Sequence, residues 1–328
     1  MVIDKLIPTE QRRSVDELVD RLGLNSGDRP SKQSAFWIML TLSGVIAVAG
    51  VIGDSTATVI GAMIVAPLST PILGIGLGIV TAGGRLVLSS VGYVLAGVVL
   101  VVILGVVFAQ LLPNPINVLT NSQVTGRTSP TLADLLAALA TGLVGAVAVL
   151  RRDVGDVLPG VAIAISLVPP LGVVGVCLGS GAASLALGAF ILFASNVIAM
   201  VITSVLVFTL GGVGREAAVA AGAVPRRARA YIVLLVAFVV VSVPMVINSL
   251  TSLWAKQVAT ATQDWLNAGG VTSADVTNVS WSGHTVTINV LAPQNLPPIE
   301  SLTSTVDGLV PWTPDVVVVH TTGSRESG

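Results

Sequence analysis

Seven apolar runs fill most of the first 253 residues, and each is close to the length needed to cross a bilayer. A spanning helix takes about 20 mostly apolar residues, because the hydrocarbon core is about 30 Å thick and a helix rises about 1.5 Å per residue. The runs fall at about 36–53, 57–80, 86–112, 132–150, 157–178, 183–210 and 230–253, most of them separated by Gly, Pro or charged residues. Only 10% of the chain is charged and 53% is hydrophobic, too little charge to coat such runs in water. The expected fold class is an all-α polytopic membrane domain. No apolar stretch followed by a cleavage site precedes the first run, so that run is expected to direct insertion.

Basic residues are retained on the cytoplasmic side of short loops. With the N-terminus inside, Lys5, Arg12, Arg13, Arg21, Arg29, Lys32, Arg85, Arg151, Arg152, Arg215, Arg226, Arg227 and Arg229 are all cytoplasmic, and only Arg127, Lys256 and Arg325 fall outside. Dropping one span would reverse every later loop and destroy this asymmetry. The sequence therefore predicts seven spans in a cell membrane, N-terminus in and C-terminus out. Trp37 and Trp254 fall at predicted helix ends, where an indole suits the interface. The net charge of −1 offers no basic excess for a phosphate backbone, so nucleic acid is not an expected partner. The single cysteine, Cys177, lies in an apolar run and reads as a core residue.

The chain divides into a cytoplasmic segment (1–35), a first membrane unit (36–112), an outer loop (113–131), a second membrane unit (132–211), a cytoplasmic loop with the seventh span (212–254) and an outer domain (255–328). In the first segment Val15, Leu18, Val19 and Leu22 recur at helical spacing, an amphipathic helix that either docks on the protein or lies on the membrane. Beyond Trp254 the pattern predicts a helix (255–268), strands (275–281 and 284–291) about Ser282-Gly283, a second helix (297–309) and a strand (315–320), a small α+β unit. His284 and His320, the only histidines, sit here without a Cys or carboxylate cluster, so no metal site is assigned.

Displacing the chain by 99 positions lays Gly61 on Gly160, Leu68 on Leu167, Pro71 on Pro170 and Gly76 on Gly175, and also Asp54 on Asp153. Each unit holds three spans, and an odd number inverts the second copy. Inverted repeats of this kind are typical of secondary transporters, whose substrate site lies where helices of both halves are interrupted. The matching interruptions are Pro67-Leu68-Ser69-Thr70-Pro71 and Ser166-Leu167-Val168-Pro169-Pro170. Proline removes a backbone hydrogen bond and frees carbonyls that lipid cannot satisfy. Pro67, Ser69, Thr70, Pro71, Ser166, Pro169 and Pro170 are thus substrate or ion candidates; the alternative is a pair of packing kinks.

Among other polar groups, Asp54 precedes the second span and Asp134 stands at capping-box spacing from Thr131, so each reads as a helix cap or as a proton or cation group. Asn196 in FILFASNVIAM has no terminus to cap and is either a binding group or an interhelical hydrogen bond. Asp54 and Asp153, on opposite faces, cannot form a catalytic pair. No span holds a histidine base, a Ser–Lys pair or a phosphate loop, so neither an enzyme nor a cofactor is expected.

The blocks SAFWIMLTLSGVIA, VIGAMIVAPLSTPILGIGLG, GRTSPTLADLLAALATG, GVAIAISLVPPLGVVG and LFASN, in this order over about residues 34–212, resemble the bacterial family called "domain of unknown function 389". The resemblance implies a bacterial multi-pass membrane protein and assigns no activity. From the residues, the first expectation is a transporter of a small neutral solute, weakly charged ion or lipid-like molecule. The alternatives are an oligomeric channel and a receptor or scaffold whose outer domain binds a ligand. Gly-rich stretches 74–84 and 92–105 would also allow a homo-oligomer.

Overall fold

The computed structural model describes residues 8–111, 117–154, 167–222, 228–271, 273–293 and 296–323. The chain folds as two compact units, Met1–Met245 and Val246–Gly328.

The first unit is helical: α1 (Val15–Leu22), α2 (Arg29–Ile52), α3 (Thr56–Val65), α4 (Ser69–Thr81), α5 (Gly84–Leu111), α6 (Ser122–Thr128), α7 (Leu132–Leu150), α8 (Val168–Gly179), α9 (Ala183–Leu210), α10 (Val213–Ala221) and the start of α11 (Ala228–Ala268). Helices α2, α5, α7, α9 and α11 are long and apolar enough to cross a membrane, and α3–α4, bent by 47° at its break, is either a sixth, broken span or a re-entrant loop. Of the predicted run 157–178, residues 157–166 lie outside the described residues; what remains is α8. Outward-facing Leu88, Leu95, Leu136 and Val233 are each at least 60% exposed, a surface that suits lipid and not water. The chain is thus a multi-pass membrane protein.

The first span begins earlier than its apolar run. Asp28 accepts from the Ser31 N–H and hydroxyl, and Pro30 sits in the first turn, where its missing N–H costs nothing. Capping chemistry, not hydropathy, sets that end, and Trp37 accordingly lies inside α2, edge-on to Phe36 and beside Tyr93.

Helix α1 is docked. Leu18 and Leu22 are buried in the same core cluster as Leu40, Leu68, Ile72 and Phe208. Ahead of it Arg13 donates to the carbonyls of Val149 and Arg151 (both 2.6 Å) at the C-terminal end of α7, and Arg12 to that of Gly211 beyond α9. Guanidinium groups suit the negative ends of two helices. Burial and the neighbouring Arg21 lower the pKa of Arg13. Arg152 pairs with Glu17 at 2.6 Å, and Glu216 accepts from the Val15 N–H.

Sequence reading places a helix end at Trp254 and a new helix at 255. The two are one continuous helix, α11, because residues 255–268 repeat the helical period without a Gly or Pro stop. The boundary between the compact units falls inside it, next to Pro244.

In the second unit, β1 (Asp275–Ser282) and β2 (Thr285–Ala292) form a hairpin around Gly283-His284, where Gly283 takes φ +59°. Helix α12 (Ile299–Asp307) then crosses over to β3 (Asp315–Thr322), which pairs parallel to β2. Val286, Ile288, Val290 and Ala292 alternate into a core with Val258 and Leu266 of α11 and Leu302 and Val306 of α12. His284 lies in the hairpin turn instead of on a strand; its carbonyl accepts from the Asp315 N–H at the start of β3. His320 stands opposite Val290 near the other end, roughly 16 Å further along the ladder.

Candidate functional site

Helix α3 ends at Val65 and α4 begins at Ser69, so the first interruption is the segment Ala66-Pro67-Leu68. Pro67 lies in this connection. Pro71 lies in the first turn of α4 and is buried, and the Thr70 N–H closes a tight turn on the Pro67 carbonyl at 3.2 Å. Ser69 and Thr70 are half-buried, and their hydroxyls form no hydrogen bond among the described residues. In the second interruption Pro169 and Pro170 occupy the first turn of α8, both buried, where a missing N–H is tolerated. They lie at the start of α8. Ser166 lies outside the described residues.

The bounds of these helices repeat at the 99-residue displacement read from sequence. Ser69 corresponds to Val168 as the first residue of α4 and α8, Gly84 to Ala183 as the first of α5 and α9, and Leu111 to Leu210 as their last. The packing repeats too. On α4 a Cβ added to Gly76 would lie 2.9 Å from the Ser204 Cβ of α9; on α8 one added to Gly175 would lie 2.7 Å from the Gly105 Cα of α5. Gly76 displaced is Gly175, and Gly105 displaced is Ser204. The helix after each interruption therefore crosses the last span of the other half, at equivalent positions and at distances only very small residues permit.

The described walls of the interruptions are apolar. Leu68 and Leu171 are 0% exposed, Val168 1% and Leu167 4%, all in one core cluster. Buried hydroxyls nearby are satisfied on their own helix: Ser195 donates to the Leu192 carbonyl, Thr203 to that of Ala199 and Ser204 to that of Val201, each at 2.8 Å. Ser43 donates to the Ala62 carbonyl at 2.8 Å, tying α2 to α3. Asn196 is buried in α9 and has a partner of its own.

The acidic candidates lie away from the interruptions. Asp134 accepts from the Thr131 N–H (2.7 Å) and hydroxyl (2.8 Å), capping α7. Asp54 does not cap the helix that follows it; Ser55 does, accepting from the Thr58 N–H. Asp54, held at φ +48°, turns instead to α6 and accepts from the Ser122 hydroxyl (2.6 Å) and the Gln123 N–H (3.1 Å). The Ser122 hydroxyl is the main reason its carboxyl sits below its usual pKa. Around it the Asn121 amide donates to the Val51 carbonyl and the Gln123 amide to the Thr56 hydroxyl, both at 2.8 Å, while Arg127 donates to the Gln123 side-chain oxygen at 3.0 Å. Burial lowers the Arg127 pKa. Asp153 instead pairs with Arg151 at 2.6 Å. Sequence reasoning singled out none of Asn121, Ser122 and Gln123, since a contact across about 70 positions leaves no local pattern. Nor did it pair Gly105 with Ser204, which meet Gly175 and Gly76 only in the packed structure.

Comparison with known proteins agrees with the block pattern. An uncharacterized protein of Methanocaldococcus jannaschii is 32% identical over 176 residues, 54% of this chain, and the chain spans about half the length of that relative. No solved structure matches. Residues 63–202, which run from α3 into α9 and contain both interruptions, match the model of the family described as Domain of unknown function (DUF389).

Proposed function

We propose that the membrane unit transports a small solute or ion by rocking two inverted three-helix repeats, 36–112 and 132–211, past a site at their interrupted helices. The observation that carries this reading is the exchanged pair of crossings, Gly76 on Ser204 and Gly175 on Gly105, at one constant displacement. Two halves that each hold the other's interrupted helix can tilt as bodies and open the junction alternately to either side. In this reading the chain crosses seven times from a cytoplasmic N-terminus, and the second compact unit lies outside the cell. The apolar walls favour a neutral or weakly charged solute, with the Ser69, Thr70 and Ser166 hydroxyls as its polar contacts.

The tight packing of Leu68, Leu167 and Leu171 also supports a second reading, a closed scaffold in which the interruptions are packing kinks. Water access separates the two. In a Cys177→Ser background, Ser69→Cys and Thr70→Cys should react with a small membrane-impermeant thiol reagent in sealed vesicles of at least one orientation. Protection of both positions from both faces would reject the transport reading and leave the scaffold.

A further inference from the structure

We propose that a cavity on the face carrying α1 binds a phosphate-bearing anion. The cavity, about 630 Å³, is walled by α1 and the loop after it and by the turn from α4 into α5. Its described lining holds two arginines, Arg29 and Arg85, with the polar groups of Asn25, Ser26, Thr81 and Ser89, and no carboxylate. Neither arginine makes an ion pair among the described residues. Outside the described lining, Asp20 pairs with Lys32 at 2.7 Å and Asp28 accepts from the Ser31 hydroxyl at 2.7 Å.

The remaining groups favour an anion as well. Arg29 is the first residue of α2, and Gly83 and Arg85 flank the first residue of α5, so the positive ends of two long helices reach the cavity. Three of the opposing carbonyls near the end of α4 are taken: Gly78 by the Gly83 N–H (2.8 Å), Ile79 by the Ala82 N–H (3.3 Å) and Leu77 by the Thr81 hydroxyl (2.9 Å). The Asn25 side-chain oxygen accepts from Gln33 (2.8 Å) and Tyr93 (3.1 Å), which leaves its amide nitrogen as a donor. Two planar guanidinium forks beside the Asn25 amide and the Ser26 hydroxyl match phosphate oxygens, while the Thr81 and Ser89 hydroxyls donate to the Leu77 and Leu86 carbonyls. Leu88, one turn into α5 and 76% exposed, places the cavity beside lipid, so the phosphate comes from an anionic lipid headgroup or from a soluble phosphate compound. This inference does not rest on the transport reading.

The test uses the full chain in vesicles of equal parts phosphatidylcholine and phosphatidylglycerol, with lipid retained after gentle solubilisation counted by native mass spectrometry. Inorganic phosphate is titrated calorimetrically in detergent. The wild type should retain phosphatidylglycerol in preference to phosphatidylcholine, and R29Q/R85Q should lose that preference by about tenfold or more. Retention without phosphate binding assigns the site to a lipid headgroup; phosphate binding that the glutamine pair abolishes assigns it to a soluble compound. The lysine pair R29K/R85K keeps both charges and should keep binding. The proposal is overturned if the glutamine pair matches the wild type in both measurements, if the wild type shows neither form of binding, or if both pairs lose binding alike, as distorted packing would produce.

Discussion

Gly105 and Gly175 meet backbone to backbone: a Cβ built on either would lie 2.7 Å from the Cα of the other. No rotamer change relieves such a clash, since the obstructing atoms belong to two helices, α5 and α8. Gly175→Val should therefore force these helices apart and destabilise the membrane unit by about 1–3 kcal/mol or more. A thermal-unfolding series in detergent measures it, and an unshifted midpoint would rule out the close crossing.

The equivalent crossing yields to repair. Gly76 faces the side chain of Ser204, with the Ser204 Cβ 2.9 Å from the added atom. Gly76→Ala should lower the unfolding midpoint, and Ser204→Gly added to it should restore most of the loss, because two residues in contact are energetically coupled. The double-mutant cycle reads that coupling directly. Additive effects would mean that the two positions do not touch.

Asp54 tests the latch on α6. Its folded pKa lies below the unfolded value, so its stabilising contribution is present above the ordinary carboxylate range, near 3.9, and is lost as pH falls through the lowered folded value. Asp54→Asn should lower the amide-exchange protection factors of residues 117–131 at neutral pH, and the wild type should lose the same protection only on acidification below that range. Equal exchange in both proteins at neutral pH would argue against the latch.

Arg13 holds the N-terminal segment to α7 through the Val149 and Arg151 carbonyls. Replacing it with Gln removes charge-assisted hydrogen bonds worth about 1.5–3 kcal/mol when buried, less here because the group is partly solvated. Limited proteolysis should then cut within residues 8–22 faster than in the wild type. Unchanged cleavage would place the docking energy in Leu18 and Leu22 alone.

Pro67 lies in the connection between α3 and α4 and supplies no N–H to extend α3. Pro67→Ala should let the helix run on through residue 67, reduce the 47° bend and slow solute flux in proteoliposomes while expression is kept. Unaltered flux, once a transported solute is in hand, would remove the interruption from the mechanism.

Much of the fold was legible because its causes are local. Hydropathic runs long enough for a bilayer gave the five candidate spans and the bent α3–α4 pair; Asp134 beside Thr131 gave a cap at the expected place, and Gly283 at φ +59° a hairpin turn one residue beyond Ser282-Gly283. The alternation Val286, Ile288, Val290 gave a half-buried strand. Local rules failed where two of them competed. A polar N-terminal turn lengthens α2 beyond its apolar run because Asp28 and Pro30 cap it, and α11 continues past Trp254 because helical propensity does not end at a change of polarity.

By itself, then, the sequence determined which segments are long and apolar enough to cross a membrane and where most described helices start and stop, since each of these depends on neighbours along the chain. Tertiary structure alone decided that Asp54 bonds the first turn of α6 and does not cap α3, that Arg12 and Arg13 close the ends of α9 and α7, and that Gly76 and Gly175 press on α9 and α5. Such contacts join residues far apart in the chain, and a side chain's periodicity specifies which face is buried but not which helix buries it. Only the packing of the whole bundle, where backbones approach closely enough to exclude a methyl group, selects the partner.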